Sequence, residues 1–279
     1  MRKVHYSATQ RDSIWRIWSG IIRSFSASHA LALRLFKRDL NAEYRRTILG
    51  IFWAFIPPLL TSGLWIFLRS NNVISFGATS VPYPLFVLTG TMLWQIFNEA
   101  INAPLASVGA NKNLLLKINI PREGLLFSGL YMLLFNLTVK MIIIALAFFI
   151  FGQGISIRIL LFPVGVASII LCGFSLGLLL VPIGMLYGDL RRILIAVLPF
   201  LMYLTPVIYP PVKNGFLGVL TSLNPMAILL NTTRDALTDQ PLTSLNEFLL
   251  INVVVLLLTF LGMAIYKISM PLIIERIGS

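Results

Sequence analysis

The stretch LALRLFKRDLNAEYRRTILGIFWAFIPPLL, residues 31–60, joins a basic amphipathic helix to the start of a membrane span. In its first part, apolar side chains recur at helical spacing within an arc of about 120°. They are Leu33, Phe36, Leu40, Tyr44 and Ile48. Arg34, Arg38 and Arg45 occupy the adjoining arc, a pattern typical of a helix in the membrane interface. No charged residue lies between Ile48 and Arg69, so we predict that the chain enters the bilayer near Ile48.

The composition of the whole chain is that of an integral membrane protein. Of its 279 residues, 57% are hydrophobic and 11% are charged, whereas soluble domains carry about 25% charged residues. The single cysteine, Cys172, excludes a disulfide framework or a cysteine-based metal cluster within the chain. Residues 1–47 contain no apolar core of a secretory signal peptide, so we expect the first span to act as its own insertion signal.

The order of apolar and polar stretches predicts an all-α protein with six transmembrane helices and both termini in the cytoplasm. The predicted spans are residues 48–68, 83–108, 125–151, 159–187, 193–208 and 248–270. Residues 1–47 are expected to form cytoplasmic amphipathic helices with a break at 24–29, and residues 271–279 a cytoplasmic tail. We expect Pro57 and Pro58 to kink the first span, because proline removes helix hydrogen bonds.

Residues 216–237 contain two short apolar pieces separated by Asn224-Pro225, a sequence typical of a helix start. Neither piece can cross a bilayer at about 1.5 Å per residue. We interpret them as short re-entrant helices that dip into the outer leaflet. The alternative is one long broken span through residue 237, which would disturb the alternation of inside and outside segments.

The distribution of Lys and Arg supports this topology. Of the 22 basic residues, 17 lie in segments predicted inside and four in segments predicted outside, which is a strong positive-inside bias. The four outside residues are Arg69, Arg158, Lys213 and Arg234. Topology and anionic lipid therefore explain the net charge of +12, and nucleic acid is not expected as a partner.

Motifs for catalysis or metal binding are nearly absent from the sequence. It contains no GxxxxGK[ST] loop for nucleotide phosphates and no HExxH pair, so we predict neither a catalytic residue nor a metal site. Residues 173–177 match GxSxG, but a nucleophile there needs a strand-to-helix turn and a histidine base. We predict helix packing instead, because glycines on this face follow a small-xxx-small pattern. They are Gly173, Gly177, Gly184 and Gly188.

Two groups of side chains within the predicted spans are candidates for function. Glu99 and Lys140 are ionisable at membrane depth, where such groups face a protein interior or a water-filled cavity. The sequence leaves open whether they form an ion pair. Aromatic side chains can stack on the C–H faces of sugars, but they also favour membrane interfaces on general grounds. The aromatic candidates are Trp53, Phe67, Phe200 and Tyr203.

Five segments together carry a resemblance to a known family. RDLNAEYRRTILGIFWAFIPPLL (38–60) resembles the start of the permease subunits of ABC-2-type polysaccharide exporters, the group that exports O-antigen, capsule and teichoic acid. The segments that match in the same order are NKNLLLKINIPRE (111–123), GDLRRI (188–193), LTPVIYP (204–210) and LNPMAIL (223–229). The chain departs from the family in its longer amphipathic start, residues 1–29, and in Gly188, where an Arg or similar residue is common.

The resemblance implies a homodimer that forms a channel for a lipid-linked polysaccharide through the bacterial inner membrane. It also implies two copies of a separate ABC ATPase that bind ATP and Mg²⁺, with no cofactor on this chain. The ATPases would drive spans one and five through the inside segments, and the aromatic candidates would line the substrate path. The ATPase-coupling residues implied in this way are Arg38, Asp39, Arg45, Arg46, Asn111, Lys112, Lys117, Arg122, Asp189, Arg191 and Arg192.

Two other functions are compatible with the same residues. An ABC-2 permease for a drug or a small lipid would share the topology, since apolar spans do not identify their substrate. A membrane-embedded enzyme acting on lipids or glycosyl carriers would need clustered ionisable side chains at one membrane face. The sequence offers one thin cluster of this kind on the predicted outside, formed by Arg234, Asp235 and Asp239.

Overall fold

The chain folds as an all-helical protein, as the sequence predicts. A computed structural model describes the backbone of residues 14–45, 47–118, 120–154, 156–211 and 215–278, and their side chains except those of 14–27, 217 and 278. The predicted coupling residue Arg46 and residues 1–13 lie outside the described residues. The described residues form ten α-helices and no strand. They are α1 (Ile14–Tyr44), α2 (Ile56–Ser70), α3 (Tyr83–Ala110), α4 (Lys112–Lys117), α5 (Glu123–Ile150), α6 (Phe162–Leu186), α7 (Asp189–Tyr203), α8 (Gly215–Leu223), α9 (Pro225–Leu237) and α10 (Leu245–Gly278).

Four helical segments among the described residues are long and apolar enough to cross a membrane. They are Gly50–Ser70, Glu123–Ile150, Ile157–Leu186 and Leu245–Ile277. α3 has 28 residues but carries several polar side chains, and the 15 residues of α7 extend only about 22 Å against a hydrocarbon core of about 30 Å. The count of six spans, the cytoplasmic termini and the re-entrant helices therefore stay predictions.

α3 lies at the centre of the bundle, with α2, α5 and α6 packed around it. Seventeen of its residues are buried, which is typical of a helix enclosed by others rather than facing lipid. The glycines of α6 allow the closest approach. A Cβ at Gly173 would lie 2.7 Å from the Phe97 carbonyl oxygen of α3, and one at Gly177 would overlap the Ile101 carbonyl. A Cβ at Gly188, by contrast, would meet open space.

The predicted break at residues 24–29 is wrong, because α1 continues through this segment without interruption. Serine favours helix ends, since its hydroxyl competes for backbone hydrogen bonds. Here Ser28 is fully buried against the start of α5, where a glycine, Gly124, lets the two helices approach closely. A tertiary contact thus overrides the local preference of the serines.

The side chains that α1 buries most deeply in the bundle lie beside the predicted apolar arc. Ala32 and Leu35 are buried, whereas Leu33 is 36% exposed. Phe36 packs edge to face on Tyr131 of α5, with ring centroids 6.2 Å apart. The interior of the bundle therefore selects a neighbouring face of α1, and the membrane-interface position of this helix stays a prediction.

The two prolines of the first span start a helix instead of kinking one. A 3₁₀ helix covers Gly50–Ala54, and α2 then begins at Ile56 with Pro57 and Pro58 in its first turn. Proline is well tolerated there because the first backbone N–H groups of a helix have no intrahelical partner.

Two further helix ends differ from the prediction. The segment at 188–192 lies between two predicted spans, but most of it belongs to α7, which begins at Asp189 and ends at Tyr203 rather than at residue 208. The predicted tail at 271–279 is helical to Gly278, because α10 continues past Pro271 and buries Ile273 against the inner part of the bundle. A polar segment can thus continue a helix when a neighbouring helix covers one of its faces.

Candidate functional site

Two of the inside segments implied by the resemblance meet at Asn111. Arg38 Nη2 of α1 donates a hydrogen bond to Asn111 Oδ1 over 2.9 Å. Asn111 lies between α3 and α4 and donates its own amide to the Ser107 carbonyl over 2.8 Å. Its side chain is only 2% exposed. Asn111 is therefore a buried residue that connects α1, α3 and α4. Arg38, which also pairs with Asp39 at 2.7 Å, remains at the surface.

α4 is supported on its other side by the C-terminal part of α10. Leu115 of α4 belongs to a buried cluster with Tyr266, Met270 and Ile273. Tyr266 is 1% exposed, and its hydroxyl donates to the Arg122 carbonyl over 3.0 Å. Sequence reasoning missed this support, because no local pattern links residues so far apart in the chain.

The other predicted coupling residues lie at or near the surface of the same inner segments. The exposed ones are Arg38, Arg45, Lys117, Asp189, Arg191 and Arg192, and the half-buried ones are Asp39, Lys112 and Arg122. The closest pair among those of α7, Arg192 and Asp189, is 3.5 Å apart and almost fully exposed. Such a pair contributes little to stability, so these side chains are available to a partner.

Glu99 and Lys140 form an ion pair between α3 and α5. Lys140 Nζ donates to both carboxylate oxygens of Glu99, over 2.7 and 2.8 Å. The Lys140 side chain is 3% exposed, whereas that of Glu99 is 34% exposed. Glu99 also lines a cavity of about 320 Å³ between α1, α3 and α5, together with Glu43 and Asn102. Partial burial, reinforced by the nearby Glu99, raises the pKa of Glu43.

α2 and α7 are the least buried of the long helices. α2 buries only Pro58 and Ser62 among its described residues, and the Ser62 hydroxyl lies 2.7 Å from that of Thr91 on α3. α7 buries only Leu198. All four predicted path residues are exposed on these helices or on the 3₁₀ helix that precedes α2. They are Trp53, Phe67, Phe200 and Tyr203.

An aromatic cavity joins α2 to the end of α7. Trp65 of α2 meets Tyr203 of α7 edge to face, with ring centroids 6.1 Å apart. Together with Phe76 and Tyr209 they line a cavity of about 530 Å³. Of these four residues, only Tyr203 was among the aromatic candidates from the sequence. Tyr209 stands within the LTPVIYP segment, which is a usable signal.

The thin outside cluster does not form a site. Arg234 is 3% exposed and turned inward onto backbone carbonyls, while Asp239 pairs with Arg158 at 3.2 Å. Ser175 of the GxSxG match donates to the Cys172 carbonyl over 2.9 Å inside α6. Across the described residues, no group of three or more His, Cys, Asp or Glu side chains could hold a metal ion.

Curated relatives of this chain are permeases. It is 23% identical over 254 residues to the O-antigen export system permease protein RfbA of Myxococcus xanthus, covering 88% of this chain and 95% of the relative. It is 25% identical over 237 residues to RfbA of Klebsiella pneumoniae, covering 82% and 88%. It is 27% identical over 151 residues to the capsule polysaccharide export inner-membrane protein CtrC of Neisseria meningitidis serogroup A, covering 53% and 55%. No protein-family model matches the chain. The resemblance carried by the five segments is thereby confirmed.

Proposed function

We propose that this chain is the membrane-spanning permease subunit of an ABC-2-type exporter that moves a lipid-linked polysaccharide across the bacterial inner membrane. The observation that carries the proposal is the similarity to an O-antigen export permease over 88% of the chain. It coincides with an all-helical fold that contains apolar helices of membrane length. CtrC is named an inner-membrane protein, and we assign the same location to this chain.

Energy for transport comes from a separate ATPase in this proposal. The chain has no P-loop, so ATP and Mg²⁺ bind to the partner, and this chain needs no cofactor. Two ATPase copies would dock where Lys117 of α4 and Arg191 of α7 are exposed. Because Asn111 joins α1 to α3 and α4, a push on this surface would act on all three helices together.

Two copies of the chain form the channel in this proposal, with α2 and α7 at their interface. These helices expose apolar and aromatic side chains over most of their length and bury very little within one copy. Aromatic faces suit a moving polymer, because they stack on sugar C–H groups without the directional hydrogen bonds that would hold it in place. The cavity between Trp65 and Tyr203 continues such a path toward the end of α7.

Reconstitution with the candidate ATPase tests this function. The two proteins would be purified together and placed in lipid vesicles, and ATP hydrolysis and glycan transport would be measured with a lipid-linked glycan present. We expect glycan to accelerate hydrolysis in the wild type. Replacing Arg191 and Arg192 by Glu should separate the ATPase from the permease, whereas Arg158→Glu, at the opposite end, should not. A permease that neither binds an ATPase nor transports glycan would refute the proposal.

A further inference from the structure

The segment that follows α7, Thr205–Ile208, is buried although it has left the helix. Thr205 and Val207 are fully buried and Ile208 is 3% exposed. Carbonyl groups at a helix end have no intrahelical partner, and burying them without one is costly. Their partners therefore determine where the end of α7 is held.

Arg234 of α9 supplies those partners. Its guanidinium donates to the Pro206 carbonyl over 2.7 Å and to the Val207 carbonyl over 3.2 Å. It lies over the ring of Phe86 in α3, 3.8 Å from the centroid. Among the described residues no carboxylate lies within 4.0 Å of it, so its donors serve the backbone of this segment and the Asn231 amide. A planar guanidinium matches two adjacent carbonyls in a way that a lysine ammonium cannot.

A second contact fixes the same segment to the other end of α9. The Asn224 side chain accepts from the Met226 N–H at the helix start and donates to Thr205 Oγ1 over 2.9 Å. α9 is itself part of the rigid bundle, because Leu229 and Leu230 are fully buried in the core. The far end of α7 is thus tied at two points to a helix that is packed into the core.

The near end of α7 shows the opposite arrangement. Asp189, Arg191 and Arg192 are exposed, and Leu198 is the only buried side chain among the described residues of this helix. Within one copy, α7 is therefore held firmly at one end and loosely along the rest of its length. A force applied to its first turn would rotate it about the held end, whereas a translation would require breaking the two contacts.

We infer that Arg234, with Asn224, makes the segment Thr205–Ile208 the fixed pivot of α7, and that Arg234 is a positioning residue for transport. The inference rests on the proposed function, because the force on the first turn is assigned to the ATPase. In the wild type, motion of the first turn then becomes rotation of α7, which widens the path near the inner end and leaves the outer end in place.

Distance measurements between pairs of spin labels test the pivot in the permease alone. In a Cys172→Ala background, which removes the only cysteine, one pair would join Tyr203→Cys to Val164→Cys on α6 at the outer end. A second pair would join Ile195→Cys, an exposed position of α7 that is not among the docking residues, to Ile268→Cys on α10 at the inner end. Dilution with unlabelled chains isolates distances within one chain. We expect a narrow distribution for the outer pair, and Arg234→Gln should broaden it about twofold because both carbonyl bonds are lost.

Arg158→Gln is the matched control, since it removes the same charge on the same side of the molecule and contacts Asp239 rather than α7. It should leave the outer pair narrow. Arg234→Lys, which can satisfy one carbonyl, should give an intermediate width. An outer pair as narrow in Arg234→Gln as in the wild type would overturn the inference, whatever the function of the chain.

The reconstituted complex separates this inference from the function it rests on. Trapping ATP should shift the inner pair while the outer pair stays unchanged. Arg234→Gln should lower glycan transported per ATP hydrolysed about tenfold, whereas a purely structural defect would lower transport and ATP hydrolysis together. Equal shifts of both pairs in the wild type would overturn the pivot. Failure of any ATPase to bind would instead count against the proposed function, and the isolated permease would still decide the pivot.

Discussion

Removing either partner of the Glu99–Lys140 pair should destabilise the protein unequally. Lys140 is 3% exposed and makes both of its charged contacts with Glu99. Glu99→Leu leaves an uncompensated buried ammonium, which costs about 3–5 kcal/mol. Lys140→Met leaves a carboxylate that is 34% exposed and lines a cavity, where water can solvate it, so we expect a loss of only about 1–2 kcal/mol.

The double variant is the decisive one. Glu99→Leu with Lys140→Met removes both charges and replaces them by apolar groups, an exchange that is often close to neutral. The double-mutant cycle should therefore give a coupling of about 3–6 kcal/mol, well above the range of ordinary hydrogen bonds between membrane helices. If the two single losses simply add in the double variant, the pair does not stabilise the protein as a unit and the reasoning fails.

The assay is thermal unfolding of the purified permease in detergent, followed by tryptophan fluorescence at one scan rate. For a chain of this size each kcal/mol shifts Tm by roughly 2–4 °C, so Glu99→Leu should lower Tm by roughly 6–20 °C and the double variant by a few degrees. Lys117→Met on the exposed side of α4 is the control for loss of a lysine, and it should leave Tm nearly unchanged.

Three further predictions concern contacts within the bundle. Asn111→Ala should lower the free energy of unfolding by about 1–2 kcal/mol and slow ATP-stimulated transport. Asn111→Asp can still accept from Arg38 and should retain more stability and more transport. Equal losses in the two variants would contradict the role of Asn111 in connecting α1 to α3 and α4. Gly177→Ala should overpack the contact with the α3 backbone and destabilise the protein by about 1–3 kcal/mol, which the same assay would record as a lower Tm. Gly188→Ala, in open space, should leave Tm unchanged. Tyr266→Phe removes one hydroxyl and keeps the ring, so unfolding should cost about 1 kcal/mol less, and faster proteolysis between α4 and α5 should report the loosened loop; an unchanged cleavage rate would speak against this anchor.

Most helices could be found from the sequence, but several of their ends could not. The apolar runs that became α3, α5 and α6 were long and bounded by polar turns, so local composition was sufficient to locate them. The ends of α1, α7 and α10 depended on neighbours. α1 continues through Ser28, which is buried against α5, and α10 continues past Pro271, where Ile273 is buried against the inner bundle.

Part of the candidate site could likewise be predicted from the sequence, and part could not. Motif order predicted the inside segments and the helices that carry the aromatic candidates, since these are stretches of contiguous residues with recognisable composition. The burial of Asn111 and the pairing of Glu99 with Lys140 were beyond such reasoning, because each depends on how two distant helices are rotated and tilted against each other. Arg234 appeared in the sequence as an outside charge, and its inward orientation becomes visible only when α3, α7 and α9 are assembled.

Residues 31–60 thus determined, by charge and periodicity alone, that a basic helix leads into a membrane span and that the chain is a helical membrane protein. Hydrophobic length and charge placement are properties of the chain itself, and the bilayer acts on them directly. Tertiary structure alone decided which face of α1 is buried, which charges meet and which end of α7 is held. Those outcomes depend on close packing between helices. When several faces of a helix are equally apolar, the shape of the contact selects the face that is buried.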